Sequence, residues 1–359
     1  MIKQTRNPEK FDVLELFSSM ATTKGYKIND IHSVEEFISC VTDSIKESAT
    51  NDRTKFGKRV ESLFAYVAGA LGHVKLLKQE DTGSIYYLGE EIIAPDYKVI
   101  LKDNTQILIE VKNFYSPDIE KYFTIENDYY LKLKRYSDIN KIPLKFAIYF
   151  SKMNQWFLLP ISAFTKTENT FKINFITAMA KSEMAILGDR MIGTTPNLEI
   201  HLITNRDEAS PINSSGIVGF TIRKTQCFCA NQEVTNITEQ KILFDFIRYG
   251  KWIEKDTEVI MDDDKFLGVK FIYAPTEVTE QPFEIIGLLS GMISNKFKEL
   301  TTNDGKIELL DLGLNPNAFE ILIPDGYDSS QLPLWQFIIS ANEDFEEEPN
   351  KTLERNSLP

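Results

Sequence analysis

The 359-residue chain has three cysteines, Cys40, Cys227 and Cys229, too few for a disulfide framework and in keeping with a reducing cytoplasm. Cys227 and Cys229 lack a second pair at zinc-like spacing, so they read as strand residues. No apolar run approaches the roughly eighteen residues of a membrane-spanning helix. The N-terminus MIKQTRNPEKFD lacks the apolar stretch of a signal peptide, so no membrane partner is expected. A Walker loop, a dinucleotide glycine fingerprint and zinc-finger spacing are all missing. What is present is ordinary globular composition, 42% hydrophobic and 26% charged, in a chain long enough for two domains.

Positive charge is also short overall, with a formal net charge of -13. The deficit is local. Residues 1–165 hold 22 Lys+Arg and 22 Asp+Glu, whereas residues 166–359 hold 18 and 31. Affinity for nucleic acid comes from neutralising phosphates, so the first half is expected to handle it, with local basic patches elsewhere as the alternative. The acidic half suits protein contacts or self-association better than base reading.

Residues 91–112, EIIAPDYKVILKDNTQILIEVK, read as a β-hairpin. Tyr97, Val99 and Leu101 alternate with Asp96, Lys98 and Ile100, and Ile107, Ile109 and Val111 alternate with Gln106, Leu108, Glu110 and Lys112. That period marks half-buried strands. Facing both apolar sets to one core requires odd residues to pair with odd, as when paired numbers sum to 206. The turn must then be odd in length, for example Lys102-Asp103-Asn104, or carry a bulge. Asp96 falls opposite Glu110, with Lys112 on the same face.

Opposed carboxylates destabilise a sheet unless something positive lies between them. A divalent cation with oxygen ligands, Mg2+ or Mn2+, fits that gap. It would polarise a phosphoryl group and lower the pKa of a bound water, while Lys112 adds charge or orients the water. The competing reading is a solvated amphipathic hairpin, because Glu-x-Lys is common on exposed strands.

Pro95-Asp96 and Glu110-Val111-Lys112 resemble the two halves of the PD-(D/E)xK nuclease motif, over roughly residues 52–160. The resemblance implies an α/β (α+β), restriction-endonuclease-like mixed sheet flanked by helices. It also implies Asp96, Glu110 and the carbonyl of Val111 as metal ligands, an additional helix acid, and Lys112 as a catalytic residue. Restriction, antiviral defence or DNA repair is the setting it implies. Glu61 is the candidate helix acid. It stands beside the small residues Gly57, Ala65, Ala68 and Gly72 on a helix of about 52–71 whose core stripe is Val60, Phe64, Val67 and Leu71. A basic helix of about 125–141 carries Lys132, Lys134, Arg135 and Tyr136 as candidate DNA contacts. Lys132 and Tyr136, four apart, share a face and resemble the Q-x-x-x-Y motif of RecB-like nucleases, with Lys in place of Gln.

The remaining order is an N-terminal helical segment (1–50), with a capping box at Ser33-Val34-Glu35-Glu36, then the nuclease core (51–165). VKLLKQ and SIYYL read as strands around an Asp81-Thr82-Gly83 turn, and LKFAIYF and QWFLLP as later strands. A bridge (166–200) contains the loop GDRMIGTTPN, in which Asp189 and Arg190 either pair with each other or reach DNA. A second, acidic α+β domain (201–340) and a disordered acidic tail (341–359) follow. In the second domain Asp262-Asp263-Asp264 reads as a solvated hairpin tip and His201 as a structural strand residue. The chain is thus expected to be a metal-dependent DNA endonuclease, a homodimer when it cuts duplex. The alternative is a non-catalytic protein- or nucleic-acid-binding module on the same fold.

Overall fold

The computed structural model describes residues 1–3 and 8–346, with side chains for all of these except residues 10 and 11. The tail beyond residue 346 lies outside the described residues. The chain divides into two compact units. The first is Met1–Leu187, Thr301–Ala318 and Ser340–Pro359; the second is Gly188–Leu300 and Phe319–Ile339.

The first unit opens with α1 (Val13–Lys24), α2 (Ile31–Thr50) and α3 (Asp52–Ala70). Phe17, Tyr26 and Phe37 form a small core of their own. The cap of α2 lies one turn earlier than expected, since Asp30 accepts from the N–H of His32 and of Ser33 and from the Ser33 hydroxyl. An aspartate with extended backbone serves there as well as serine would. Likewise Asn51, through Thr54 N–H, caps α3.

A five-stranded sheet follows in the order β1-β2-β3-β5-β6, built from β1 (Val74–Gln79), β2 (Tyr97–Leu101), β3 (Gln106–Phe114), β5 (Leu144–Phe150) and β6 (Gln155–Pro160). Between β3 and β5 the chain crosses over through β4 (Phe123–Glu126) and α4 (Asn127–Asn140), so β3 and β5 run parallel in a sheet otherwise antiparallel. Helix α3 covers one face, with Phe64 ring centroids 5.8 Å from Tyr97 and 5.5 Å from Trp156. The other face packs Phe146, Ile148, Phe150, Phe157 and Leu159 against Leu133 of α4 and the short strand β8 (Thr170–Ile173), which lies between β4 and β7 (Thr165–Lys166). Helix α5 (Phe175–Lys181) closes this layer.

The hairpin register is the one that alternation predicts: Tyr97 pairs with Ile109, Lys98 with Leu108 and Val99 with Ile107. Lys102-Asp103-Asn104 forms the odd loop, with Asn104 in the left-handed region at φ 70°. Strand β2 is half-buried as expected. Strand β3 instead is buried from Ile107 through Val111, because helices cover both of its faces. SIYYL is not a strand. Tyr86 and Leu88 are almost fully exposed in a stretch of irregular backbone between residues 80 and 96.

The second unit starts with β9 (Met191–Thr194), in what the sequence presents as a loop. It contains β10 (Leu198–Ile203), β11 (Ser210–Pro211), β12 (Lys224–Cys229), β13 (Gln232–Val234), α6 (Ile237–Tyr249), the hairpin β14 (Ile253–Asp262) and β15 (Lys265–Ala274), β16 (Glu284–Leu288) and α7 (Leu289–Thr301). After β17 (Thr302–Asn303) and β18 (Lys306–Ile307) of the first unit, β19 (Leu334–Phe337) joins β9 and β16 in one sheet. Cys227 and Cys229 are buried on β12, and burial pushes both thiols up to about 11. His201 stacks on Phe228 at 4.3 Å and bonds Glu199 at 2.7 Å. Asp263 sits at the hairpin tip with φ 54°. Asp189 is buried at the start of α7 and accepts from Ser290 N–H at 3.0 Å, the Ser290 hydroxyl at 2.5 Å and Arg190 N–H at 3.0 Å. The Arg190 guanidinium turns instead to Gln336 at 2.6 Å. Both residues thus hold the second unit together.

Candidate functional site

Burial of β3 on both faces decides the character of Glu110, which is only 3% exposed. A carboxylate in that position needs partners, since isolated buried charge is very costly. Its Oε1 receives the Lys112 ammonium at 2.5 Å and the Tyr129 hydroxyl in a short hydrogen bond. Tyr129 also accepts from Lys112 at 3.1 Å, and the ammonium lies 4.9 Å from the centre of the tyrosine ring. Burial pulls the lysine toward neutrality, but Glu110 and Tyr129 outweigh it and hold its pKa above the ordinary lysine value. Burial and then Glu110 raise the Tyr129 phenol well above its usual range.

Asp96 stands just ahead of β2, and its Oδ2 accepts from the Val111 N–H at 2.6 Å, tying it across the hairpin to the middle of the motif triplet. Burial, then the Glu110 carboxylate beside it, push Asp96 up to about 7, against the pull of that N–H and of Lys112. Glu61 and Asp81 complete the group. One carboxylate oxygen from each of Glu61, Asp81 and Asp96 lies within 4.8 Å of the others. Glu61 reaches there from α3, whose backbone is anchored by the Tyr97 hydroxyl on the Glu61 carbonyl at 3.0 Å, and it also pairs with Lys58 at 2.6 Å. The donors are hard oxygens at a site crowded with like charge, a set that could hold a metal ion.

Lys132, Lys134, Arg135 and Tyr136 form no open basic face. Lys132 pairs with Glu91 at 2.7 Å and Asp128 at 3.0 Å, and Arg135 pairs with Glu90 and donates to the Glu91 carbonyl at 3.1 Å. The Tyr136 hydroxyl donates to Glu80 at 2.7 Å, while Lys134 holds Asp138 on its own helix at 2.6 Å. Three of the four therefore grip the irregular 80–96 segment, which carries Asp81 near one end and Asp96 at the other.

Two members of the site do not stand out in the sequence. Asp81 reads as an ordinary turn residue, and nothing local distinguishes it. Tyr129 does carry a signal, because it lies seven residues before Tyr136 and so shares the helix face already singled out for Lys132.

No protein-family model matches the sequence, and no curated protein matches it. Among solved structures the chain is similar to a Holliday junction resolvase, Hjc, from Archaeoglobus fulgidus. That similarity has 17% identity over 32% of this chain and 86% of the other, with a TM-score of 0.24. The mixed α/β architecture is the one the sequence leads to expect.

Proposed function

We propose that the chain is a Mg2+- or Mn2+-dependent nuclease that hydrolyses internal phosphodiester bonds of DNA. The observation that carries the reading is the gathering of Asp96, Glu110, Glu61 and Lys112 around one hairpin, with two of the acids under mutual strain and a lysine beside them. Asp96, Glu110, Glu61 and the carbonyl of Val111 are the proposed ligands, to which Asp81 is added. The bound cation would polarise the phosphoryl group and lower the pKa of a water. Lys112, fixed between Glu110 and Tyr129, offers a charged donor to the oxygen on which negative charge grows. Tyr129 keeps that ammonium from swinging out to solvent.

Lys132, Lys134, Arg135 and Tyr136 remain the proposed DNA contacts. Exposed ion pairs are worth only about 0–1 kcal/mol, so phosphates can take the place of Glu90, Glu91 and Asp138 at little cost. Cutting both strands of a duplex calls for two such sites, which favours a homodimer, and the acidic second unit is the natural place for self-association or a protein partner. Restriction, antiviral defence and DNA repair all fit this chemistry.

The test is cleavage of supercoiled plasmid, linear duplex, single-stranded DNA and RNA in EDTA, Mg2+ and Mn2+, by wild type beside Glu110→Ala and Lys112→Ala. Metal-dependent cutting lost in both variants supports the reading. Cutting that persists in both variants refutes this site, and a folded protein that binds DNA without cutting under any condition favours the non-catalytic module.

A further inference from the structure

A cavity of about 710 Å³ opens directly off the candidate site, and Glu61, Val111, Lys112 and Tyr129 belong to its wall. That size lies within the ~300–1,000 Å³ range of small-ligand clefts. Its other walls are the first turns of α3, the outgoing end of β3 and the strand β4. Two features of the lining bear on what enters. The first is aromatic surface left in water: Tyr115 is 65% exposed and Phe56 41% exposed at the cavity, with Phe123 beside them. The second is positive charge at the mouth: the exposed Arg53 has no acid paired with it among the described residues. Lys152 adds a second cation, 4.4 Å from the centre of the Tyr115 ring.

Flat apolar rings and cations at the rim match a nucleobase on its phosphate backbone. A base inside a duplex stack cannot enter a recess beside the scissile phosphate; it must be unpaired or turned out. Building on the nuclease reading, we propose that this cavity receives the base of an unpaired nucleotide adjoining the cleaved bond, so that the substrate is single-stranded DNA or an unpaired position within duplex. Aromatic faces supply sequence-tolerant stacking.

Gly57 provides the test, because it lines the cavity on α3, and a Cβ built there meets nothing within 4 Å. Larger side chains at this position project into the recess, and because Glu61 lies one turn further along the same helix face, Mn2+ affinity is measured for each variant beside KM. The series Gly57→Ala, Gly57→Leu and Gly57→Trp, with Phe56→Ala and Tyr115→Ala as stacking deletions, is compared with wild type in the full chain after thermal melts confirm folding. The probes are single-stranded and duplex oligonucleotides of one sequence carrying 2-aminopurine at successive positions, followed by fluorescence in Ca2+ and by cleavage in Mn2+. The expected result is quenching of the probe at one position in single-stranded DNA, and a rise in KM for that substrate that grows with side-chain size, tenfold or more for Gly57→Trp. Stacking deletions lose the quench.

Cleavage by wild type with no effect of Gly57→Trp on KM or on quenching overturns the cavity assignment and leaves the nuclease standing. Quenching that Gly57→Trp abolishes, in a protein that never cuts, upholds the base-binding cavity and rejects the nuclease. Equal quenching in duplex and single strand overturns the preference for unpaired bases.

Discussion

Asp189 and Asp96 are both buried carboxylates, one in each unit, and their surroundings differ in kind. Asp189 is met by the start of a helix: Ser290 N–H, Ser290 hydroxyl and Arg190 N–H all donate to it. Burial still lifts it to about 6, but the groups around it pull the other way. Asp96 has one backbone N–H, and the next largest influence on it after burial is a second carboxylate, Glu110, which drives it up to about 7. A satisfied buried acid is a structural bolt. An acid crowded by another acid favours a proton or a cation that relieves it, and for that reason the Asp96 cluster is the functional candidate and Asp189 is not.

The comparison breaks most easily at Lys112. Lys112→Met leaves Glu110 buried beside Tyr129 alone and is expected to cost about 3 kcal/mol in metal-free urea denaturation. Saturating Mn2+ should recover most of that loss, whereas no ion should rescue a lesion at Asp189. Asp189→Ala is expected to destabilise by about 2 kcal/mol through the orphaned α7 terminus, with Mn2+ affinity unchanged by calorimetry. A comparable loss of Mn2+ affinity in this variant would erase the distinction between the two acids.

Dependence on pH sharpens it further. Both folded-state values lie above the ordinary aspartate value, so each group favours the folded protein below about pH 4, and that contribution is lost as pH rises. The loss is complete near pH 6 for Asp189 and near pH 7 for Asp96. Metal-free protein should therefore lose stability from pH 4 to 7, and Mn2+ should remove the Asp96 share of the slope while leaving the Asp189 share. Asp96→Asn should stabilise the metal-free protein at pH 8 by at least about 1 kcal/mol, since a tenfold change in proton affinity is worth ~1.4 kcal/mol. The same variant should lose the Mn2+-induced rise in Tm. The mildest lesion is Tyr129→Phe, which removes one hydroxyl from the Lys112–Glu110 pair. Cleavage should fall about tenfold, or ~1.4 kcal/mol, in kcat with KM unchanged.

The hairpin is legible in the sequence because alternation with period two leaves few registers that keep Tyr97, Val99, Ile107 and Ile109 on one side. Its chemistry follows from the same count, which sets Asp96 beside the triplet. What escapes the sequence is decided by contacts distant along the chain. SIYYL has strand composition but no strand beside it, so Tyr86 and Leu88 remain in solvent. MIGT reads as loop because of its glycine, yet Gly193 is required by close packing: a Cβ there would lie 2.9 Å from Phe283 Cδ2. Asp81 gains its place only through the path of residues 80–96, which composition does not specify.

That path has a mechanical consequence. Residues 81 and 96 bring two carboxylates to one point from opposite ends of a stretch without regular structure, already pinched by the Glu80 N–H on the Asp96 carbonyl at 2.9 Å. A divalent ion held by both acids would act as a removable crosslink, closing a loop of about fifteen residues, a length for which a permanent crosslink is worth ~3 kcal/mol. Chelation would then unbuckle the segment gripped by Lys132, Arg135 and Tyr136, and susceptibility of residues 82–92 to a protease would report the ion's departure without any substrate present.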